Sequence, residues 1–392
     1  MKPASRRNST PTFVAKLTAS DGEALDGFGW SVAISDDTIV VGAPFAKTES
    51  NSGYGAVYVF VRPPSGWAST SSFEAKLSVV DDVAYNALGL SVAIDGSTIG
   101  ASAGDWGFDA NVTQGSVFLF VRPSGGWAST ASFNAKLTAA NGLVDEFLGT
   151  FLAMSDDTVV AAAARSGAIY IFEKPPSGWV STSTFDAQLT ASNGAALDPL
   201  GPVAVSSGVV IAGAPGATVT QFEQGAAYVF LRPPTGWIST FGFDAKLTAP
   251  DGAQGDDFGG AVAIAGDTIV VGAPGATIGS VLNQGAAYIF VLHGQGWTTT
   301  SRADEKVTEP GGRFFGDSVA DSGGLIAAGT PGEAIREDFT PGAVDLYGDF
   351  GLGRVIVPVA PPRTVPIRGR HALRAIAEKA PDGRTCRKIN PQ

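Results

Sequence analysis

The chain is poor in the residues that build disulfides, metal sites and many active sites. It has one cysteine, Cys386, and two histidines, His293 and His371. One cysteine excludes an intrachain disulfide, and no cluster of Cys and His has the spacing of zinc ligands. The sequence therefore indicates neither a disulfide-stabilised fold nor a zinc site.

Charge is also scarce, since Asp, Glu, Lys and Arg make up 16% of the 392 residues, well below the usual quarter. The net charge of −11 argues against non-specific nucleic-acid binding, which depends on a basic surface. No apolar run is long enough to cross a bilayer, and the N-terminus shows no signal peptide. We therefore expect no nucleic-acid partner and no insertion into a membrane.

Short apolar runs between turn residues are abundant. Hydrophobic residues make up 44% of the chain, which also contains 51 Gly and 24 Pro. Three markers recur along it: Gly-Trp, an aromatic residue or Leu followed by Gly, and Gly-Ala-Pro. The Gly-Trp pairs, spaced by 52 to 60 residues, end at Trp67, Trp127, Trp179, Trp237 and Trp297. Such self-similarity predicts a repeat architecture.

Each repeat predicts four short antiparallel strands. In the first repeat they are WSVAIS, TIVVGA, AVYVFV and a fourth strand running from Trp67 to Lys-Leu. Four strands at this period are typical of a β-propeller blade, because radial stacking buries both faces of each sheet. The predicted fold class is therefore all-β, a β-propeller of four-stranded antiparallel blades. We expect the repeated tryptophans to pack beside the next blade.

The two ends of the array predict how it closes. Six repeats show the first three strands, and the sixth ends at GAVDLYGDF (342–350) without a fourth. Residues 12–18, TFVAKLT, match the fourth strands SFEAKLS and SFNAKLT but follow no first three strands. We therefore predict six blades, with the N-terminal strand closing the last blade; seven blades are the alternative.

Three parts are predicted along the chain: an N-terminal arm (1–11), the propeller (12–350) and a C-terminal tail (351–392). The tail is Pro-rich and then basic. From Gly353 onward it has nine Lys or Arg against two acidic residues, a charge of +7 that leaves about −18 for the rest. We interpret the tail as a linker or terminal extension.

The repeated order of Phe-Gly, strand, Gly-Ala-Pro and a strand opening with Gly-Ala resembles the FG-GAP repeat. This repeat occurs in the integrin alpha-subunit propeller and in many bacterial and archaeal surface proteins. The stretches GFGWSVAISDDTIVVGAPFAKTESNSGYGAVYVF (27–60) and DFGGAVAIAGDTIVVGAPGATIGSVLNQGAAYIF (257–290) resemble its bacterial type. The resemblance covers roughly residues 12–350 and implies an extracellular or cell-surface setting, with a role in adhesion or ligand binding.

Calcium is where the chain departs from this family, which often holds the ion in an acidic loop between the first two strands. Here those connections are turns of two or three residues, such as Asp36-Asp37 and Gly266-Asp267. Calcium needs six to eight oxygen ligands, which turns of this length cannot supply. We therefore predict no metal site and no cofactor, and leave open calcium at another loop.

The face predicted to bind a ligand carries the loops between the second and third strands, together with the connectors between blades. Its most site-like cluster joins an aromatic residue to three oxygen-bearing side chains suited to a sugar or a cation: Asp105, Trp106, Asp109 and Asn111. Further candidate ligand-binding residues on this face are Glu49, Asn51, Glu223 and Asn283. The competing interpretation is a set of solvated loops in which Asp and Asn cap turns.

Enzyme chemistry has little support in the sequence. No nucleophile or metalloprotease motif is present, and carboxylate pairs such as Asp145-Glu146 and Asp256-Asp257 are adjacent, so they point in different directions. We therefore predict a non-enzymatic, secreted or surface-displayed propeller that binds a glycan or protein through its acidic loop face, in adhesion or recognition. The alternatives are a structural spacer in a larger surface protein and, last, a hydrolase or lyase using loop carboxylates.

Overall fold

The structure is a computed structural model. It describes residues 14–47, 54–80, 87–104, 114–142, 146–163, 165–191, 200–294, 296–310, 312–322, 325–331, 334–335, 338–339 and 343–348. All of them belong to one compact unit, Thr12–Val359; the other unit, Met1–Pro11 with Ala360–Gln392, lies outside the described residues. The predicted arm and tail lie outside them too, so the three-part division stays a prediction.

Every regular element among the described residues is a β-strand, which confirms the all-β class. Five sheets have four antiparallel strands in chain order, a sixth has three, and a two-stranded ribbon accompanies the sixth. We call the six sheets blades 1 to 6. The strands are rich in Val, Ile, Ala and aromatic residues, which suit a pleated, buried sheet.

The strand bounds are as follows. Blade 1 has β1 (Ser31–Ser35), β2 (Thr38–Lys47), β3 (Tyr54–Val61) and β4 (Ala75–Leu77). Blade 2 has β5 (Val92–Asp95), β6 (Thr98–Ala103), β7 (Ser116–Val121) and β8 (Ala135–Leu137). Blade 3 has β9 (Leu148–Ser155), β10 (Thr158–Ala163), β11 (Ala168–Glu173) and β12 (Ala187–Leu189). Blade 4 has β13 (Val203–Ser206), β14 (Val209–Ala214), β15 (Ala226–Leu231) and β16 (Ala245–Leu247). Blade 5 has β17 (Ala261–Ala265), β18 (Thr268–Ala273), β19 (Ala286–Val291) and β20 (Glu305–Val307). Blade 6 has β21 (Ser318–Asp321), β22 (Leu325–Thr330) and β25 (Ala343–Gly348), and the ribbon is β23 (Ala334–Ile335) with β24 (Asp338–Phe339).

The first two strands of a blade form a tight hairpin. In blade 3, Ser155 pairs with Thr158 across a two-residue turn. Both turn residues, Asp156 and Asp157, have left-handed φ angles of 52° and 60°, as a type I′ hairpin turn requires. The prediction of short turns between these strands is thus confirmed in the blades where the turn is described.

The fourth strand is shorter than predicted. In blade 1 it comprises only Ala75–Leu77, and the stretch from Trp67 onward lies outside the sheet. Within that stretch Thr70 bridges in parallel to Leu17, and its Oγ1 accepts a hydrogen bond from Ser72 N at 2.9 Å. The hydroxyl closes a local turn that competes with the sheet ladder, so the prediction of one continuous strand was wrong.

The hydrophobic cores lie between successive blades. One core joins Ile211 and Val229 of blade 4 to Val262, Ile264 and Tyr288 of blade 5. Stacking therefore buries both faces of an interior sheet, as the repeat pattern predicted.

The tryptophans pack as structural residues, but against the opposite neighbour from the one predicted. Trp127, at the start of the fourth segment of blade 2, is buried in a core that it shares with Val57 and Leu77 of blade 1. The contact is thus with the preceding blade, because the segment that carries Trp127 crosses back to bridge that blade at Leu77.

The Phe-Gly and Gly-Ala-Pro markers meet at the contact between blades. A Cβ on Gly272 of blade 5 would collide with the carbonyl oxygen of Gly316, the Phe-Gly glycine of blade 6, and Gly213 meets Gly259 in the same way. Blade 3 has Ala162 in place of this glycine. In the connector of blade 4 that lies opposite, one residue separates Gly201 from Val203, whereas two residues separate Gly89 from the equivalent Val92 in blade 2. Backbone contact between neighbours therefore requires glycine at Gly213 and Gly272, whereas blade 2 accommodates Ser102 at this place.

The two ends of the array differ from its interior. Val32 on β1 is 61% exposed, whereas the equivalent Val262 on β17 is 8% exposed because blade 4 covers it. At the other end, Val344 on β25 is 63% exposed, whereas the equivalent Ala287 is fully buried. Among the described residues, blade 1 and blade 6 each present one uncovered apolar face.

Candidate ligand-binding face

The loops between second and third strands lie beside the connectors of the following blade, as predicted. Gly225 at the end of one such loop bridges to Phe258 in the next connector, and Gly285 bridges to Phe315. We call this side of the molecule the loop face. It brings together the two kinds of loop on which the sequence placed the ligand.

Two of the predicted site residues are described, Glu223 and Asn283, at equivalent places in blades 4 and 5. Both have left-handed backbones, with φ of 52° and 53°. Their carbonyl oxygens accept hydrogen bonds from the next connector, at 3.1 Å from Gly255 N and 2.9 Å from Phe314 N. Their backbones thus have a structural role, while their side chains are exposed on the loop face.

The other six predicted site residues lie outside the described residues, and their role stays a prediction: Glu49, Asn51, Asp105, Trp106, Asp109 and Asn111.

A buried glutamine beside these loops escaped the sequence analysis. Gln284 is buried, and its Nε2 donates to the carbonyl oxygen of Glu309 in the next connector at 2.7 Å. Gln114 makes the same bond to Ala139. The signal was a Gln-Gly pair before the third strand, which recurs at Gln224. These amides tie the residue before the third strand to the neighbouring connector in blades 2 and 5.

The acidic residues of the connectors build turns. The carboxylate of Asp256 is buried and accepts a hydrogen bond from Ala253 N at 2.8 Å; Asp26 does the same with Glu23 N. Burial raises the pKa of the Asp257 carboxyl, and the nearby charges of Glu223 and Asp256 raise it further. No nucleophile accompanies these groups in the hydrogen bonds described, which fits turn formation better than acid–base catalysis.

Glu146 is a buried acid of a different kind. It accepts hydrogen bonds from the Tyr170 hydroxyl at 2.8 Å and from Ser166 Oγ at 2.7 Å. Burial, with a further contribution from Glu146, raises the pKa of Tyr170. The three side chains tie a connector to the third strand of blade 3, while Asp145, its predicted pair member, lies outside the described residues.

His293 has a carboxylate partner that the sequence did not reveal. Its Nε2 lies 2.7 Å from Asp304 Oδ1. The other oxygen of Asp304 accepts a hydrogen bond from Val291 N at 2.8 Å. In blade 4, which has no histidine at this place, Asp244 accepts the equivalent hydrogen bond from Leu231 N. Asp304 therefore has a structural role in the turn after the third strand, and the exposed His293 makes a further contact with it.

An apolar cavity opens where the first strands of blades 1 to 3 begin. Its volume is about 370 Å³, and its lining includes Trp30, Leu90, Phe147 and Phe151. Trp30 is 50% exposed and its ring contacts Phe45 edge to face, with centroids 5.5 Å apart. A half-exposed indole at the edge of an apolar cavity can bury an apolar group of a ligand.

The hydroxyl groups around this cavity already have protein partners. Ser31 Oγ donates to Gly89 O at 2.8 Å, Thr150 Oγ1 donates to Phe147 O at 2.7 Å, and Ser102 Oγ accepts from Ser91 N at 2.9 Å. Their donors are largely occupied, so the cavity offers mainly apolar contact.

The sequence did contain a signal for this cavity. The residue after the Phe-Gly glycine is Trp30, Leu90 and Thr150 in the first three repeats, but Gly260 and Asp317 in the last two. The two bulky apolar residues, Trp30 and Leu90, therefore lie in neighbouring blades.

A larger groove of about 720 Å³ lies at the outer edge of blade 1. Its charged groups are paired with each other, Lys76 with Asp21 at 2.7 Å and Lys47 with Glu23 at 3.0 Å. Because both lysines already have carboxylate partners there, we regard the Trp30 cavity as the stronger candidate.

In the part of the chain that is described, no group of three or more His, Cys, Asp or Glu side chains is arranged to hold a metal ion. No helix among the same residues is long and apolar enough to cross a membrane.

Comparison with known proteins identifies the repeat. The FG-GAP repeat model matches residues 11–60 and 241–290, so the resemblance drawn from Phe-Gly and Gly-Ala-Pro is confirmed at two places. A search of curated proteins finds no match.

Several solved structures are similar over most of the chain. The computationally designed Ika8 protein is 13% identical, with a TM-score of 0.47, covering 86% of this chain and 75% of its own. The WD40 β-propeller domain of Doa1 is 10% identical, with a TM-score of 0.44 and coverages of 76% and 75%. A proposed 6-phosphogluconolactonase from Bacteroides uniformis is 10% identical, with a TM-score of 0.48 and coverages of 84% and 83%. Likenesses this distant say nothing about activity.

Proposed function

Because FG-GAP repeats match this chain at two places and its sheets are arranged like propeller blades, we propose that it is a non-enzymatic recognition module that binds a ligand through its loop face. FG-GAP repeats are typical of extracellular and surface proteins, which supports a cell-surface or secreted location and a role in adhesion. The hydrogen-bonded connector acids support the non-enzymatic assignment, since they have structural partners.

The observation that carries this proposal is the Trp30 cavity. A ligand that inserts an apolar side chain there would cover the exposed half of Trp30 and contact Leu90 and Phe151. Buried aromatic anchors of this kind dominate many protein interfaces. Of the two expected ligand classes we therefore favour a protein over a glycan.

A glycan is the second candidate, and one observation favours it. Gly104 lines the cavity and directly precedes the predicted cluster of Asp105, Trp106, Asp109 and Asn111 in the sequence. A sugar stacked on Trp30 would be within reach of polar groups if that cluster faces the cavity. EDTA separates a metal-dependent site from one that binds sugar alone.

The test uses a displayed library of random peptides and a glycan array as probes. We expect selected peptides to share an aromatic or long aliphatic residue, and to lose binding to Trp30→Ala and Leu90→Glu variants. Leu25→Glu is the matched control, because Leu25 is 91% exposed in a connector on the same face. Glycan binding that fails in the Asp105→Asn and Asp109→Asn variants would favour the sugar site instead. If neither peptides nor glycans bind, the alternative of a structural spacer without a specific ligand is favoured.

We also propose that the six blades form a closed ring in which the N-terminal segment completes blade 6. The segment is already held against blade 1 in the way that other fourth strands are held against the following blade. Thr18 N donates to Thr70 O at 3.0 Å, just as Ser78 N donates to Thr130 O at 2.9 Å. The uncovered faces of blades 1 and 6 would then cover each other and leave no open sheet edge at the join.

A further inference from the structure

The fourth strands carry a repeated polar pair. Lys76 on β4 bonds to Asp21 of the connector entering its own blade at 2.7 Å, and Lys306 on β20 bonds to Asp251 at 2.6 Å. In blade 3 the place of lysine is taken by Gln188, whose partner is Asn141 at 3.1 Å. In blade 3 both positions are therefore uncharged, whereas the fourth repeat keeps Lys246 and has Asn193 at the connector position.

Blade 6 departs from this pattern in two places. The connector residue equivalent to Asp251 is Gly311, so the connector acid is missing. The third strand carries Asp345 at the place of Tyr288, since Ala328 pairs with Asp345 as Val271 pairs with Tyr288. An acid has therefore been lost from the connector and gained on the neighbouring strand.

Asp345 lacks a cation among the described residues. Its Oδ2 is buried without a hydrogen-bond partner. Burial raises the pKa of Asp345, and burial with the nearby Asp345 charge raises the pKa of Glu309. A buried carboxylate without a partner costs free energy that an opposite charge would offset.

The N-terminal segment carries a lysine at the matching place. Lys16 N donates to Ser69 Oγ at 2.9 Å, as Lys76 N donates to Ser129 Oγ at 3.0 Å. Lys16 therefore corresponds to Lys76 within the repeat, and its side chain is exposed.

We infer that Lys16 and Asp345 form an ion pair across the join between the two ends of the array. Residues 15–17 would pair antiparallel with 344–346, in the register by which Tyr288 faces Lys306. The inference rests on the ring closure proposed above and adds to it the residue pair that sets the register. The occupant of the free edge of β25 is thus the N-terminal segment of the same chain.

Disulfide trapping tests the register. In a Cys386→Ser background, Ala15→Cys combined with Leu346→Cys places the two thiols on facing residues. Ala15→Cys with Val344→Cys is the matched control, shifted by two residues. We expect the first pair to form a disulfide within one molecule at least about tenfold faster than the second, because disulfides need close Cβ atoms. Equal rates for the two pairs, or covalent dimers as the main product, would overturn the inference; dimers would indicate that a second copy occupies the edge.

Charge exchange tests the ion pair separately. We expect Lys16→Glu and Asp345→Lys each to lower the urea midpoint of unfolding, and the double variant to recover more than half of the summed loss. Asp345→Asn should also lower the midpoint at neutral pH, since it removes one partner of a pair. A raised midpoint for Asp345→Asn would show instead that Asp345 is an unpaired buried charge.

The two experiments separate the possible failures. Trapping without charge coupling would keep the closed ring and reject the ion pair. Neither result depends on the peptide or glycan probes, so a failure of the proposed recognition function would be seen separately.

Discussion

Blades 5 and 6 come from the same repeat but differ in what surrounds them. In blade 5, Lys306 lies over the Tyr288 ring, 4.9 Å from its centroid, and Asp251 bonds to both residues. Blade 6 has Asp345 in place of that tyrosine and three described strands instead of four. The difference teaches that a repeat is complete only with its neighbours, and that its sequence changes where a neighbour comes from the far end of the chain.

Removal of the N-terminal segment should have the largest effect on this comparison. We expect deletion of residues 1–18 to lower the free energy of unfolding by about 4 kcal/mol, because the variant loses a paired strand with its apolar side chains. Urea denaturation measures the loss, and deletion of residues 1–11 alone is the control. A 1–18 deletion as stable as the parent would reject ring closure.

Two equivalent glycines give the next largest effect. Gly272→Ala should cost about 3 kcal/mol, because the added methyl collides with the backbone of Gly316. The three nearest atoms to a Cβ on Gly329 of blade 6 all belong to Ser318 within its own blade. If the ring is closed, Gly29 of blade 1 lies against Gly329. Gly329→Ala should then cost as much stability as Gly272→Ala. Thermal or urea unfolding of both variants decides this, and a nearly neutral Gly329→Ala would mean that the ends stay apart.

Matched isoleucines on the first strands offer a milder comparison. Ile264→Thr should cost about 2 kcal/mol, because it removes apolar volume and buries a hydroxyl between blades 4 and 5. The equivalent Ile34 is exposed in blade 1. A closed ring predicts a similar cost for Ile34→Thr, and an open array predicts almost none. Denaturant midpoints measured side by side distinguish the two.

The smallest effect is expected at the Asp251 carboxylate of blade 5. Burial raises its pKa, but hydrogen bonds from Lys306 and Tyr288 outweigh burial and hold the pKa below its usual value. A lowered folded-state pKa adds stability above the unfolded-state pKa, and this stability is lost as pH falls through the folded-state value. Asp251→Asn should therefore cost less than about 1 kcal/mol at neutral pH, since the pair is partly exposed. Unfolding followed as a function of pH should show the two proteins converging in acid; a constant difference would contradict this.

Much of the fold was predictable because the signals are local and repeated. The hairpin turn at Asp156-Asp157, the apolar strands and the placement of loops beside connectors all follow from residues close in sequence. The fourth strand was predicted too long, because Thr70 bridges to Leu17, a residue distant in the chain, and this contact cannot be read from the local sequence. The available signal was Ser-Thr two residues after Trp67, Trp127, Trp179 and Trp237, with Thr-Thr at the same place after Trp297.

The candidate site was less predictable. Glu223 and Asn283 were selected for their side chains, yet the described contacts that matter are made by their carbonyl oxygens. The Trp30 cavity was missed because its walls come from three blades, and no window of sequence contains Trp30, Leu90 and Phe151 together. A comparison of the residue after each Phe-Gly would have shown that the first three repeats differ from the rest.

The sequence by itself determined the repeat and the all-β class, because these depend on local periodicity. Only the tertiary structure decided which side chains meet: the amide of Gln284 on its neighbour, the cavity beside Trp30 and the unpaired carboxylate of Asp345. The physical reason is that such contacts join residues from different blades. Their energies depend on burial and distance, which a one-dimensional pattern does not contain.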